Sequence, residues 1–134
     1  MSEMHSSPDR VVWFDLPVAD LARASKFYGA VLGIKVEETK AGNFTFAVLE
    51  HGPTGNGGCL LPNAKEVSAA GILVYMNVDG RIRDAVKQTE KQGGRVLQAI
   101  ESIGPHGFRA VVLDSEGMYR GAIDRRGRRH LAIY

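Results

Sequence analysis

The chain repeats itself at an offset of sixty residues, which constrains its fold more than any other feature. The stretch VVWFDLPVADL runs from Val11 to Leu21, and GILVYMNVDGRI runs from Gly71 to Ile82. Val18 matches Val78, Gly33 matches Gly93, and Val36 matches Val96. Self-similarity at a fixed period signals one supersecondary unit used more than once.

Each copy opens as a strand that runs into a helix. Val12, Phe14, Leu16 and Val18 fall on one face of the first strand, and Val11, Trp13, Asp15 and Pro17 on the other. The uniformly apolar set should pack on a helix. Asp20 can cap that helix; Leu21, Ala24, Phe27, Tyr28, Val31 and Leu32 form its apolar stripe, and Gly33 ends it. IKVEETKAG and NFTFAVLEH read as strands, GPTGNGG as a flexible connection, and CLLP as a short strand closed by Pro62. NAKEVSAA, residues 63–70, reads as a linker.

In the second copy, Ile72, Val74, Met76 and Val78 face one way and Leu73, Tyr75 and Asn77 the other. The following helix is more polar and turns Ile82, Ala85, Val86 and Thr89 inward. RVLQAIES reads as a strand, and FRAVVLDSEGMYRGAID as a hairpin turning at DSEG. The predicted organisation is one domain over 9–124. Module 1 spans 11–62, module 2 spans 71–124, and an Arg-rich tail covers 125–134. Each module reads β-α-β-β-β, an α+β arrangement. One alone leaves half of its sheet bare; two side by side would enclose a cleft, each copy supplying a wall.

Composition narrows the class. Apolar residues make up 44% of 134, enough for a core and too many for wholesale disorder. No apolar run approaches the ~20 residues of a membrane helix. The opening MSEMHSSPDR has no apolar signal core, so a cytoplasmic location is expected. The single Cys59 agrees with a reducing compartment and reads as a buried small side chain. The net charge is +2, and the tail alone holds Arg125, Arg126, Arg128 and Arg129, so the body is slightly acidic. A basic body would point to nucleic acid; a basic tail alone does not. GPTGNGG has no Lys-Ser or Lys-Thr finish and opens no helix, so it is not a phosphate loop.

The stretches LPVADLARASKFYGAVLGIKV, VYMNVDGRIRDAVKQTEKQGGRVL and FRAVVLDSEGMYRGAI together resemble the vicinal oxygen chelate superfamily, which includes glyoxalase I, bleomycin-resistance proteins and extradiol dioxygenases. The resemblance covers nearly all of residues 11–124. It implies βαβββ modules paired into a cupped, partly open eight-stranded sheet around a cleft, and a homodimer. It also implies a divalent metal held by a His on a module's first strand and a Glu on its last. Those positions fall here at Trp13 and Leu73, and at Gly121 and near Cys59. None is a His or Glu, so no metal or other cofactor is expected at the usual place.

The face away from the first helix carries Trp13 and Asp15, with Tyr75 and Asn77 at the matching places in module 2. With His106 in a Gly- and Pro-rich loop and Arg109 on the hairpin, these are the expected ligand-binding residues. Asp15 is expected either to pair with an Arg such as Arg109 or to lie buried alone as a general base. The function expected is small-molecule binding. The alternative is a lyase, isomerase or dioxygenase of the same superfamily. It would use metal, or acid/base chemistry with Asp15 and His106 as catalytic candidates. A rearranged metal site would draw on Asp15, Glu50, His51 and His106. A third reading places the function in the tail. There HLAIY alternates and would add an edge strand or dock on a partner subunit. Neither a membrane nor nucleic acid is an expected partner.

Overall fold

The computed structural model describes residues 9–53 and 56–126. The first module contains β1 (Trp13–Val18), α1 (Leu21–Leu32), β2 (Val36–Ala41), β3 (Phe44–Leu49) and β4 (Gly57–Pro62). The second contains β5 (Val74–Asn77), α2 (Ile82–Lys91), β6 (Arg95–Ser102), β7 (Phe108–Leu113) and β8 (Tyr119–Asp124). The eight strands divide equally between two mixed sheets, ordered β1-β4-β3-β2 and β5-β8-β7-β6. In each sheet the first strand runs parallel to the last, so the crossover helix covers one face.

The strand periodicity holds where the strand exists. Leu16 and Val18 are buried, while Trp13 and Asp15 on the opposite face are exposed. Val12, expected among the apolar set, precedes β1 and is exposed. On α1, Ala24, Phe27, Tyr28 and Val31 are buried; on α2, Ile82, Ala85 and Thr89. Burying a side chain such as Phe27 contributes about 1.5–3 kcal/mol.

GPTGNGG is not only a connection. Its last two glycines open β4. They are there for close approach: a Cβ on Gly57 would sit 2.7 Å from His51 Cδ2, and one on Gly58 would enter the Phe14 ring. Within the linker, Ala64–Glu66 forms a single 3-10 turn.

The modules join through their helices. α1 packs on α2, and one core gathers Phe27, Tyr28, Ile82 and Ala85 with Leu16, Leu60, Met76 and Ala122 from both sheets. Polar groups lock this joint. Tyr28 OH donates to buried Asp114, which also accepts from the N–H groups of Glu116 and Met118 at 2.8 Å each. Arg120, 4% exposed, donates from Nε to Tyr28 OH at 3.2 Å. The phenol thus bridges a buried carboxylate and a buried guanidinium, which are costly alone. Burial first, and the adjacent Asp114 charge second, push the Tyr28 pKa well up, so it stays a donor.

Both helix starts borrow distant carboxylates. Asp20 caps α1 as expected, accepting from Arg23 N at 3.0 Å. Glu116, from the β7–β8 turn, adds acceptance from the Ala19 and Asp20 N–H groups at 3.0 and 2.8 Å. For α2 the cap comes from the end of β8. Fully buried Asp124 accepts from Gly80 N at 2.8 Å and Ile82 N at 3.2 Å. Arg125 is not a free tail residue: it pairs with Asp79 at 2.6 Å. The tail's HLAIY lies outside the described residues.

Candidate functional site

Strand register decides what each open face carries. Asp15 lies opposite Cys59, and Tyr75 opposite Gly121, so these two pairs are structural equivalents. The repeat offset is sixty in the first strand of each module and sixty-two in the last.

On module 2, Gly121 has no side chain, and the Tyr75 ring lies across the space where its Cβ would be. This orients the phenol toward Arg109, whose Nη1 donates to Tyr75 OH at 2.7 Å. The Arg109 Nε donates to Glu101 at 2.9 Å, its cross-strand partner on β6. Hydrogen bonds to Glu101 and then Tyr75 push the Arg109 pKa up, so it is always charged. Beside this pair opens a cavity of ≈ 460 Å³. Ile103, Pro105 and Ile123 give it an apolar wall; Tyr75, His106, Arg109 and Arg125 supply the polar groups. His106 ends a short 3-10 turn, Gly104–His106, which the following Gly107 (φ 103°) turns into β7.

A second space, a groove of ≈ 820 Å³, lies between the modules. Phe14, Leu32 and Leu49 line it from module 1, and Met76, Asn77 and Ile123 from module 2. Tyr75 and Arg125 border both spaces. The groove has walls from both copies, but module 1 contributes residues of the helix-packed face, Phe14 and Leu49, and not the open face that carries Trp13 and Asp15.

Trp13 and Asp15 line neither space. Asp15 Oδ1 accepts from Trp13 Nε1 at 3.1 Å and from Cys59 Sγ at 3.2 Å. The Trp13 and His51 rings meet edge to face, with centroids 6.0 Å apart. Neither alternative for Asp15 is realised: it does not pair with Arg109, which the helix-to-helix joint sets on a different open face, and it is exposed and not buried alone. Burial, then the hydrogen bond to Asp15, pushes the Cys59 pKa up to about 11. Cys59 is therefore a buried thiol at neutral pH, and donates.

The structure thus brings Tyr75, His106 and Arg109 together, sets Asn77 in the adjoining groove, and leaves Trp13 and Asp15 apart. Glu101, Ile103, Ile123 and Arg125 escape a reading of the sequence. Two register shifts in β6 hide the Glu101–Arg109 pairing from simple alternation. Asp15, Glu50, His51 and His106 do not assemble into a metal group. Among the described residues, no three His, Cys, Asp or Glu side chains do.

Residues 10–50 match a family model described as Bleomycin resistance protein-like N-terminal. A glyoxylase-like domain-containing protein of Didymella fabae is 26% identical over 96 residues, 69% of this chain and 74% of that protein. The trypanothione-dependent glyoxalase I of Leishmania major superposes with a TM-score of 0.67 at 23% identity, covering 93% of each chain. A glyoxalase/bleomycin resistance protein/dioxygenase family enzyme of Burkholderia phytofirmans superposes at 0.62 with 19% identity, over 84% of this chain and 96% of that one. The fold is that of the vicinal oxygen chelate superfamily.

Trp13, Leu73, Gly121 and the neighbourhood of Cys59 are the positions at which the resemblance would set metal ligands. The indole is a donor to Asp15, and the Leu73 side chain has no polar atom. Cys59 is protonated and occupied, and Gly121 lies beneath the Tyr75 ring. No helix among the described residues is long and apolar enough to cross a membrane.

Proposed function

We propose that this vicinal oxygen chelate protein binds a small molecule in the cavity beside Tyr75, without the superfamily's usual His and Glu metal ligands. The observation that carries this reading is the wall of that cavity. Apolar surface from Ile103, Pro105 and Ile123 meets a phenol, an imidazole and a guanidinium in a volume suited to a metabolite. The donor set at the four usual ligand positions does not suit a divalent cation, which wants imidazole, carboxylate or thiolate. The reading extends to a homodimer. Trp13 is 44% exposed and Phe44 68%, and both belong to the open face of the first sheet, which a second copy would cover.

The test is a calorimetric screen of a metabolite and antibiotic library, run with metal analysis on protein purified without chelator or affinity metal. Binding that Tyr75→Ala weakens at least tenfold, in protein free of stoichiometric metal, is the expected result. Stoichiometric Ni, Zn, Mn or Fe that disappears in Asp15→Ala or His106→Ala would overturn the metal-free reading. Sedimentation should give twice the monomer mass.

His106 favours a second reading, a lyase or isomerase working by acid/base chemistry. Its imidazole reaches the cavity, whereas Asp15 lines neither space, so His106 would act without Asp15. Turnover of a bound compound that His106→Gln abolishes while leaving its affinity intact would support this reading over simple binding.

A further inference from the structure

We infer that the ligand of the Tyr75 cavity is an organic anion, a carboxylate or a phosphate monoester on an apolar body. This rests on the small-molecule reading above and names the class of compound. The argument is one of charge placement. Two guanidiniums, Arg109 and Arg125, stand in the cavity wall, and no carboxylate does. Each is held from behind. Arg109 spends Nε on Glu101 and Nη1 on Tyr75; Arg125 spends Nε and Nη2 on Asp79. Glu101 and Asp79, which fix the two arginines, lie outside the lining. Among the described residues, Arg109 Nη2 and Arg125 Nη1 have no hydrogen-bond partner. His106 lines the same wall.

Unspent planar N–H groups on pre-positioned guanidiniums are receptors for oxyanions. Their orientation is already fixed by the back-side carboxylates, so little entropy is lost when an anion arrives. Ile103, Pro105 and Ile123 would take the apolar body. A neutral ligand of the same shape would leave the spare N–H groups to water. A cation would meet two like charges.

The experiment is calorimetry on the full chain with a panel of aryl and alkyl carboxylates and phosphates. Each is paired with its neutral amide or alcohol, beginning with naphthoate, naphthyl phosphate and naphthamide. Binding of an anion at least tenfold tighter than its neutral partner supports the inference, and the better head group distinguishes carboxylate from phosphate. Arg109→Gln should cost a further 10- to 100-fold for the anion and leave the neutral compound unchanged. Arg109→Lys, which keeps the charge and loses the fork, should fall between. If Arg109→Gln does not fold, Arg125→Gln, on an exposed side chain, should weaken the anion alone. Neutral compounds binding as tightly as anions would overturn the inference. So would failure of every anion while the broad library yields a neutral or cationic ligand. Either result leaves the pocket reading standing. If nothing in panel or library binds, the pocket reading falls as well.

Discussion

On the open face of the first sheet, the carboxylate of Asp15 is already engaged by two neutral donors, Trp13 and Cys59. On the second, the guanidinium of Arg109 keeps an arm to spare after meeting Tyr75 and Glu101. The backbones are copies, and the register sets Asp15 over Cys59 as it sets Tyr75 over Gly121. The difference begins with a single side chain. Cys59 fills its place and ties Asp15 down. Gly121 leaves its place empty, so an aromatic ring lies across the strand and reaches the neighbouring hairpin. Duplication of a fold therefore does not duplicate its chemistry.

Both faces stay open because the modules are clamped helix to helix, so the clamp is where the comparison breaks most severely. Asp114→Ala leaves Arg120 buried beside Tyr28 with no carboxylate behind the phenol. A loss of about 3–5 kcal/mol is expected, read from urea unfolding. A loss under ~1 kcal/mol would mean that the joint is apolar packing alone.

The engagement of Cys59 is tested by its reactivity. With its pKa at about 11 rather than 9.0, alkylation at pH 8 should run about 100-fold slower than for a free thiol. Asp15→Asn should restore part of that rate, burial accounting for the rest. A wild-type rate like that of a free thiol would show Asp15 unencumbered, and the two faces would differ less than the geometry says.

The contact of Glu116 with α1 gives an acid-sensitive measure of how the modules are joined. Burial alone would raise the Glu116 pKa. Hydrogen bonds from Arg23, the Asp20 N–H and Ser115 outweigh it and hold the value at about 2 against the usual 4.5. A carboxylate depressed in the folded state stabilises above its unfolded pKa. That stability is complete above about pH 4.5 and is lost as pH falls toward 2. Arg23 is half exposed, so roughly 1–2 kcal/mol is expected after screening. Glu116→Gln should flatten the stability curve between those pH values. An unchanged curve would remove Glu116 from the joint.

The smallest effect is the most direct comparison. Gly121→Ala pushes the Tyr75 ring aside, at about 1 kcal/mol because that ring is partly exposed and can swing. It should nonetheless weaken ligand binding about tenfold by breaking the contact with Arg109. Cys59→Ala at the equivalent place should leave binding unchanged. Equal effects would put the two faces in one site.

Much of this was legible from residue order. Two-residue alternation separated Leu16 and Val18 from Trp13 and Asp15, and helical spacing placed Phe27 and Tyr28 inward. Glycines at Gly33 and Gly117 marked a helix end and a hairpin. The candidate site was legible in pieces. Tyr75, His106 and Arg109 could be singled out, but not sorted from Trp13 and Asp15, because alternation says which face a side chain takes and not which way that face looks.

The sequence by itself therefore determined the two βαβββ modules and the faces of their strands. These follow from local periodicity and from the repeat, which need no knowledge of distant contacts. Only the tertiary structure decided that the helices join the modules, that Glu116 and Asp124 cap helices far from them in sequence, and that Arg109 meets Glu101 and Tyr75 and not Asp15. Those contacts depend on β-bulges, register and the packing of one module on the other. They are set by the fit of whole surfaces, which no short stretch of sequence contains.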